Sequence, residues 1–299
     1  MSASLSSARR QEAATGYLFA LPYLLLFLVF MVGPMAYGFY ISLHEWHILG
    51  RQKPFVGLAN YRALLADDLF GIAMLNTAYF ALLTVIPGNA LSLLLAMGLN
   101  ARIRGETALK TAFYLPVVLS VAVVAIIWRW AYSTEFGWIN HYLRLLGLPP
   151  AAWLNSPKLA MPSLALMSIW WGAGGQMLIY LAGLRGIPEE LYEAAMIDGA
   201  GARARFRHVT LPMLRPTLLF CLVMAVIGSS QVFGQSYILT AGGPLYSTLT
   251  VALYMYQTGF SLYRLGYACA VAYALFVVVL GITLVQFRLL YARREGEAR

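Results

Sequence analysis

The sequence predicts an all-α chain, a polytopic membrane protein with six transmembrane helices, and three observations carry that prediction. Hydrophobic residues make up 61% of the 299 positions, while Asp, Glu, Lys and Arg make up only 11%; a soluble domain has roughly 25% charged residues. The charges are also unevenly placed, because the windows 13–44, 69–101, 111–128, 159–184, 216–263 and 265–287 contain none. A helix crosses a bilayer in about 20 apolar residues, so each window has room for a crossing. Third, basic residues alternate between sides. With one span per window, 14 of the 21 Lys and Arg fall on the side of the N-terminus and every second loop, and 7 on the other. Lys and Arg are retained on the cytoplasmic face, which places both termini in the cytoplasm. The net charge of +9 is thus an orientation signal and not a nucleic-acid surface. This composition excludes a soluble globule, a disordered chain and a secreted disulfide scaffold.

In chain order, the first span is expected at 17–40. Arg9 and Arg10 precede it, but it is longer than a signal-peptide core and lacks a small-x-small cleavage site, so it is read as a retained helix behind a cytoplasmic tail, 1–16. The next spans are expected at 72–99, 111–132, 160–183, 216–238 and 266–288, with a second cytoplasmic tail at 291–299. The window 216–263 is long enough for two spans. Gly242-Gly243-Pro244 is a turn signal in its middle, and the stretch after it is rich in Tyr, Thr, Gln and Ser. A seventh span would put the basic tail outside, so 245–263 is read as an extracytoplasmic segment. The outer loops 41–71, 133–159 and 239–265 are too short for a separate domain, which leaves 17–290 as one transmembrane domain. Pro34, Pro87, Gly88, Pro116, Gly172, Gly174 and Gly175 mark kinks or close helix contacts. Cys221 and Cys269 fall within spans and read as buried free thiols, with neither a disulfide nor a metal site supported.

The spans contain no mid-span Asp, Glu or His, which leaves ion-coupled transport without a relay. They contain neutral polarity instead: Asn76, Thr77 and Asn89 on the second, Ser168 and Gln176 on the fourth, and Ser229, Ser230, Gln231 and Gln235 on the fifth. Trp170 and Trp171 accompany them. Taken singly, such groups bridge helices or bond backbone carbonyls. Clustered on the fourth and fifth spans with aromatic faces, they also suit an uncharged, polyhydroxylated ligand.

Residues 185–215 form the longest expected cytoplasmic loop, RGIPEELYEAAMIDGAGARARFRHVTLPMLR. Pro188 suits a first helical position, and Glu189 and Glu190 complement the helix dipole. Gly199 and Gly201 break the helix, and Pro212 and Pro216 frame the entry to the fifth span. Leu191, Ala194, Ala195 and Asp198 share one face. A short helix with small side chains, pinned between two spans, is shaped to be gripped by another protein.

Glu193-Ala194-Ala195, then Gly199, then Val209-Thr210-Leu211-Pro212 after nine residues, resembles the EAA motif of ATP-binding-cassette importer permeases at every position. Ile187-Pro188-Glu189-Glu190-Leu191-Tyr192, Ile197-Asp198-Gly199-Ala200-Gly201, Phe55-Val56-Gly57-Leu58-Ala59-Asn60-Tyr61 and Gly242-Gly243-Pro244 are similar to the carbohydrate-uptake branch, the maltose-type and glycerol-3-phosphate-type permeases. The resemblance runs from about 15 to 292 and lacks the extra N-terminal spans and inserted periplasmic domain of the maltose member. It implies the type I ABC importer permease fold in a prokaryotic plasma (inner) membrane. It implies ATPase-coupling roles for Glu193, Ala194, Ala195, Asp198 and Gly199 on a coupling helix. Glu193 would pair with a basic group of the ATPase, the alanines would allow close packing, and Gly199 would supply the turn. The implied partners are a second permease subunit, two ATP-binding-cassette subunits, an extracytoplasmic substrate-binding protein and a sugar or polyol, with no nucleic acid. No cofactor is bound by the chain itself; ATP and Mg would sit on the ATPase subunits, in keeping with the lack of a Walker A loop here. By position relative to the motif, Ser168, Gly172, Gly175 and Ser229 match the substrate path of maltose-type relatives. Gln176 and Gln231 are added from polarity alone. Gly175 stands where an aromatic residue is expected, which separates this path from that of the maltose member.

Two other readings compete. Asp198-Gly199-Ala200-Gly201-Ala202-Arg203 resembles part of the metal-binding motif of membrane CDP-alcohol phosphotransferases. That two-metal chemistry needs further aspartates, but position 195 is alanine and the only acids after Asp198 are Glu295 and Glu297. A secondary, ATPase-independent sugar carrier is the remaining rival.

Overall fold

The computed structural model describes residues 2–101 and 104–296, with side chains for 15–101 and 104–288. Arg102, Arg299 and the side chains of Arg9, Arg10, Arg293 and Arg294, all counted in the basic balance, lie outside the described residues, as do the extreme ends of both tails. Among the described residues the regular structure is helical, with no strand and only the isolated bridges His44–Phe55 and His47–Arg264. Four helices are long and apolar enough to cross a membrane unbroken: Thr15–Ser42, Asp68–Asn100, Ala160–Arg185 and Leu265–Arg288. Two more candidates are bent pairs, Glu106–Val118 with Val121–Ala131 and Ala202–Met213 with Arg215–Ser230, turning through 98° and 68°. Counting each pair as one crossing gives six.

Each helix has a local cause. In the first span Pro34 has no N–H to give, and the helix widens ahead of it over Leu28–Val32, where the Gly33 N–H reaches back five residues to the Leu28 carbonyl. The second starts at Asp67, whose carboxylate accepts from the N–H groups of Leu69 and Phe70 at 3.0 and 3.3 Å, a capping arrangement. The expected continuous span 111–132 is corrected to two helices meeting at Leu119-Ser120. Leu119 turns extended, and Ser120 caps the second helix by accepting from the Val123 N–H at 3.4 Å. Trp171 donates its indole N–H to the Leu119 carbonyl at 3.2 Å, so an oxygen freed by the break is satisfied inside the fold.

The expected span 216–238 is likewise corrected. Its helix ends at Ser230, Gln231–Phe233 are not helical, and a short helix follows over Gly234–Thr240. Thr250 takes up the freed Val232 carbonyl at 2.7 Å. Gly234 permits the chain to lie on Val121, where an added Cβ would fall 2.9 Å from a valine methyl. Beyond it, the expected turn at Gly242-Gly243-Pro244 carries Gly242 at φ 90°, and Thr248 closes it onto the Gly243 carbonyl at 2.7 Å. Cys221 and Cys269 are free thiols.

The chain divides into two compact units, Met1–Ala66 with Thr258–Tyr273, and Asp67–Gln257 with Ala274–Arg299. In the smaller, Asn60 ties down the end of the first span by donating to the carbonyls of Ser42 and His44 at 2.8 and 3.0 Å, and the Tyr61 and Ser42 hydroxyls are 2.7 Å apart. Gly57 precedes them at φ 55°, a conformation that favours glycine. These contacts give the Gly57–Tyr61 segment a structural task.

The larger unit has two apolar cores along its second and fourth spans. One gathers Phe80, Val124, Met161, Leu164, Met167, Val232 and Leu239; the other gathers Ala96, Leu99, Met177, Tyr180, Leu184, Leu214 and Cys221. The spans are cross-braced next to the second core, where Tyr180 donates to Asn89 at 2.7 Å and Ser92 donates to the Ala173 carbonyl at 3.0 Å. Such bonds between membrane helices contribute about 0.6–2 kcal/mol each.

Candidate functional site

Between the two cores, the second and fourth spans leave a cavity of about 280 Å³, closed on another side by the fifth. Thr84, Val85 and Gly88 come from the second span, Ser168, Trp171, Gly172 and Gln176 from the fourth, and Met224, Gly228, Ser229 and Gln235 from the fifth and the helix after it. The lining carries no Asp, Glu, Lys, Arg or His. Gly172 keeps that side of its helix open, since a Cβ there would meet nothing within 4 Å.

Of the residues expected on the substrate path, Ser168, Gly172, Gln176 and Ser229 line this cavity together. Gly175 does not; it faces Val117, with an added Cβ 3.7 Å from a valine methyl. Gln231 does not either. It lies in the break after Ser230 and is exposed. Polarity brought Gln235 into consideration without placing it, and here it takes the position expected of Gln231. Asn76, Thr77 and Asn89 have structural work instead. Asn76 donates to the carbonyls of Tyr246 and Leu249 at 2.7 and 3.0 Å, Thr77 accepts from the Val251 N–H at 3.0 Å, and Asn89 serves Tyr180.

The cavity's polar groups differ in what they still offer. Ser168 and Ser229 donate their hydroxyl protons to the Leu164 and Val226 carbonyls at 2.8 and 3.0 Å, which leaves oxygen lone pairs as acceptors. Each of the two glutamines, Gln176 and Gln235, carries an amide with two donors and an acceptor. Trp171 adds part of an indole to the wall. A neutral lining of this kind can exchange hydrogen bonds with hydroxyl groups but offers no counter-charge to a desolvated anion, a burial that is costly without a partner.

The loop 185–215 forms a second candidate surface. Its helix runs Glu189–Ile197, with Pro188 one residue earlier than the expected first position, as the cap. Ile187 is buried, and Tyr192 anchors the helix through a 3.0 Å hydroxyl pair with Thr210. Glu193, Ala194, Asp198 and Gly199 are exposed and Ala195 half-buried; Leu191, Met196 and Ile197 are exposed as well. Gly199 sits at φ 77°. Its N–H bonds the Met196 carbonyl and that of Ala200 bonds the Ala195 carbonyl at 3.0 and 2.8 Å, a left-handed helix stop that turns the chain into the helix starting at Ala202. At the base of this loop Glu106 pairs with both Lys110 and Arg185, joining the start of the third span to the end of the fourth.

The chain is thus a helical membrane protein with an uncharged cavity among its spans and an exposed, glycine-stopped loop helix. Comparison with known proteins specifies the family. Residues 88–296 match the model of the binding-protein-dependent transport system inner membrane component. The chain is 35% identical over 290 residues to the trehalose/maltose transport system permease protein MalF of Thermococcus litoralis, covering 97% of this chain and 98% of the relative. It is similar in structure to a bacterial ABC transporter involved in the import of the acidic polysaccharide alginate, with a TM-score of 0.82 at 26% identity over 97% of this chain and 99% of the other. A bacterial alginate ABC transporter in complex with an alginate pentasaccharide-bound periplasmic protein matches with a TM-score of 0.81 at 26% identity, over 92% and 93%. The chain belongs to the binding-protein-dependent inner membrane components, within their carbohydrate-uptake branch of ABC permeases.

Proposed function

We propose that this chain is the transmembrane permease subunit of an ATP-driven importer for a sugar or sugar-like polyol. The observation that carries the reading is the uncharged cavity between the two cores, where Gln176, Gln235, Ser168 and Ser229 present amides and hydroxyls without any ionisable group. The subunit moves substrate inward by alternating access. The helix Glu189–Ile197 docks on a separate ATPase, Glu193 pairs with a basic group there, and Ala194, Ala195 and Asp198 form the packed face. Gly199 transmits the movement of this helix to the fifth span. A second permease subunit completes the path, two ATPase subunits hold ATP and Mg, and an extracytoplasmic binding protein delivers the sugar. The similar alginate ABC transporter in complex with a pentasaccharide-bound periplasmic protein supports the last partner. The membrane is the prokaryotic inner membrane, with both tails in the cytoplasm.

The test is uptake by the complete complex in proteoliposomes, with trehalose and maltose as first probes and an alginate trisaccharide as the acidic comparison. The neutral sugars should be imported in preference. Replacing Gln176 or Gln235 with Ala removes hydrogen bonds of about 0.5–1.5 kcal/mol, so KM should rise roughly two- to tenfold. Unchanged kinetics for every sugar in both variants would contradict the assignment of the cavity.

A further inference from the structure

The first helix of the third span, Glu106–Val118, is tied to the fourth span at both ends and near its middle. Just past its far end, the Leu119 carbonyl accepts the Trp171 indole N–H at 3.2 Å, and Trp171 lines the uncharged cavity. Near its middle, the backbone of Phe113 lies against Gly174. At its start, one carboxylate oxygen of Glu106 takes both the Arg185 guanidinium and the Lys110 ammonium. Arg185 ends the helix of the fourth span, and only residues 186–188 separate it from the loop helix Glu189–Ile197. A hollow of about 730 Å³ opens between that helix and the span ends, with Asn100, Glu106, Arg185, Glu189 and Tyr192 in its lining. Beside this hollow, the pairing of Arg185 with Glu106 joins the base of the loop to the third span.

We propose that Glu106 is a positioning residue for transport. Its bond to Arg185 fixes the base of the loop to the third span, so that movement of the helix Glu189–Ile197 reaches the Trp171 wall of the cavity with the third and fourth spans turning as one body. The 13 residues of helix make a strut of about 20 Å, which runs from the loop's base to the bond with Trp171. Glu106 lies in the first turn of its helix and Arg185 in the last turn of its own, where each charge also complements the helix dipole. Lys110 shares the helix of Glu106 and so ties that helix to nothing else through this contact. Without Glu106, Arg185 and Lys110 are left as neighbouring like charges, and movement of the loop is absorbed at Gly186 instead of being carried inward. The Glu106 side chain is 22% exposed and that of Arg185 45%. Ion pairs of such exposure add little to stability, which makes this role separable from folding. The inference rests on the proposed docking of the loop helix on an ATPase, and adds the element that carries the motion to the substrate.

The experiment measures trehalose and maltose imported per ATP hydrolysed by the full complex in proteoliposomes, for the wild type, Glu106→Gln, Arg185→Gln, the double variant, Arg185→Lys and Lys110→Ala. Glu106→Gln should keep its ATPase subunits on purification and hold its thermal midpoint. It should also keep the KM for sugar, since Glu106 is not in the cavity lining. Sugar imported per ATP should nevertheless fall at least about fivefold, the low end of coupling between distant sites. Arg185→Gln should do the same, and the double variant should lose no more than either alone, because the two residues act as one unit. Arg185→Lys, which keeps the charge, should recover part of the loss. Lys110→Ala, which leaves Glu106 on Arg185, should match the wild type. A wild-type ratio in Glu106→Gln, losses that add in the double variant, or an equal loss in Lys110→Ala would overturn the proposal, as would a Glu106→Gln subunit that fails to assemble. All of these leave the docking reading intact. Retained ATPase and full uptake in Glu193→Ala would instead overturn that reading, and this inference with it.

Discussion

The carbonyl of Phe113 occupies the place where a side chain on residue 174 would have to go: a Cβ on Gly174 would fall 2.0 Å from that oxygen. The third and fourth spans thus cross with their backbones nearly in contact, the arrangement small residues permit in membrane helices. Both partners at this crossing are backbone, so neither can swing aside. Gly174→Ala should destabilise the purified subunit by about 1–3 kcal/mol, the usual cost of overpacking, seen as a lower thermal midpoint in detergent. Gly172→Ala, with nothing within 4 Å of the new methyl, should leave the midpoint unchanged, and Gly175→Ala, in ordinary contact with Val117, should come close to it.

Asp67 caps the second span and also accepts the Tyr254 hydroxyl. Asp67→Ala removes the cap and leaves that hydroxyl without its acceptor, and should cost about 0.5–2 kcal/mol from the cap alone. Asp67→Asn keeps a side-chain oxygen for the Leu69 and Phe70 N–H groups and should lose less. Thermal midpoints of the three proteins in one detergent check the order; equal loss in both variants would assign the effect to Tyr254 and not to the cap.

Gly199 has the φ of 77° at the end of the motif helix, where a β-branched side chain is strained by about 1–3 kcal/mol. Gly199→Val should therefore reorient the exposed helix face without touching the spans. Membrane insertion should persist, and sugar uptake should fall at least tenfold. Glu193→Ala removes the proposed charged contact, worth about 1.5–3 kcal/mol for hydrogen bonds to charged groups, and should weaken co-purification of the ATPase about tenfold or more. Undiminished uptake and ATPase retention in both variants would contradict the coupling role.

How far the sequence could be read depends on what breaks a helix. The four unbroken spans were legible because charge gaps and helix ends coincide; Asp67, for instance, is both the last charge but one before a gap and the cap. The stop at Gly199 was legible because only glycine suits that turn. The breaks at Leu119-Ser120 and Gln231–Phe233 were not, because the chain stays apolar through both and hydropathy does not register the direction of the backbone. Pro116, already read as a kink mark, and Ser120, a capping residue type, were the local signals for the first. The second had a direct consequence for the site. On an unbroken helix, residues 231 and 235 share a face, and polarity alone cannot choose between them; the break turns Gln235 into the cavity and leaves Gln231 outside. Asn76 and Thr77 were ambiguous for another reason: their partners, Tyr246, Leu249 and Val251, are about 170 residues away in the chain.

The measurement that bears most directly on the account is uptake of trehalose and maltose into proteoliposomes holding this chain and its partner permease, with the ATPase subunits and binding protein supplied or withheld. The account predicts uptake only when ATP, the ATPase subunits and the binding protein are all present, and its loss on Gly199→Val. Uptake that persists without the ATPase, driven by the sugar gradient alone, would contradict it and identify the chain as a secondary carrier.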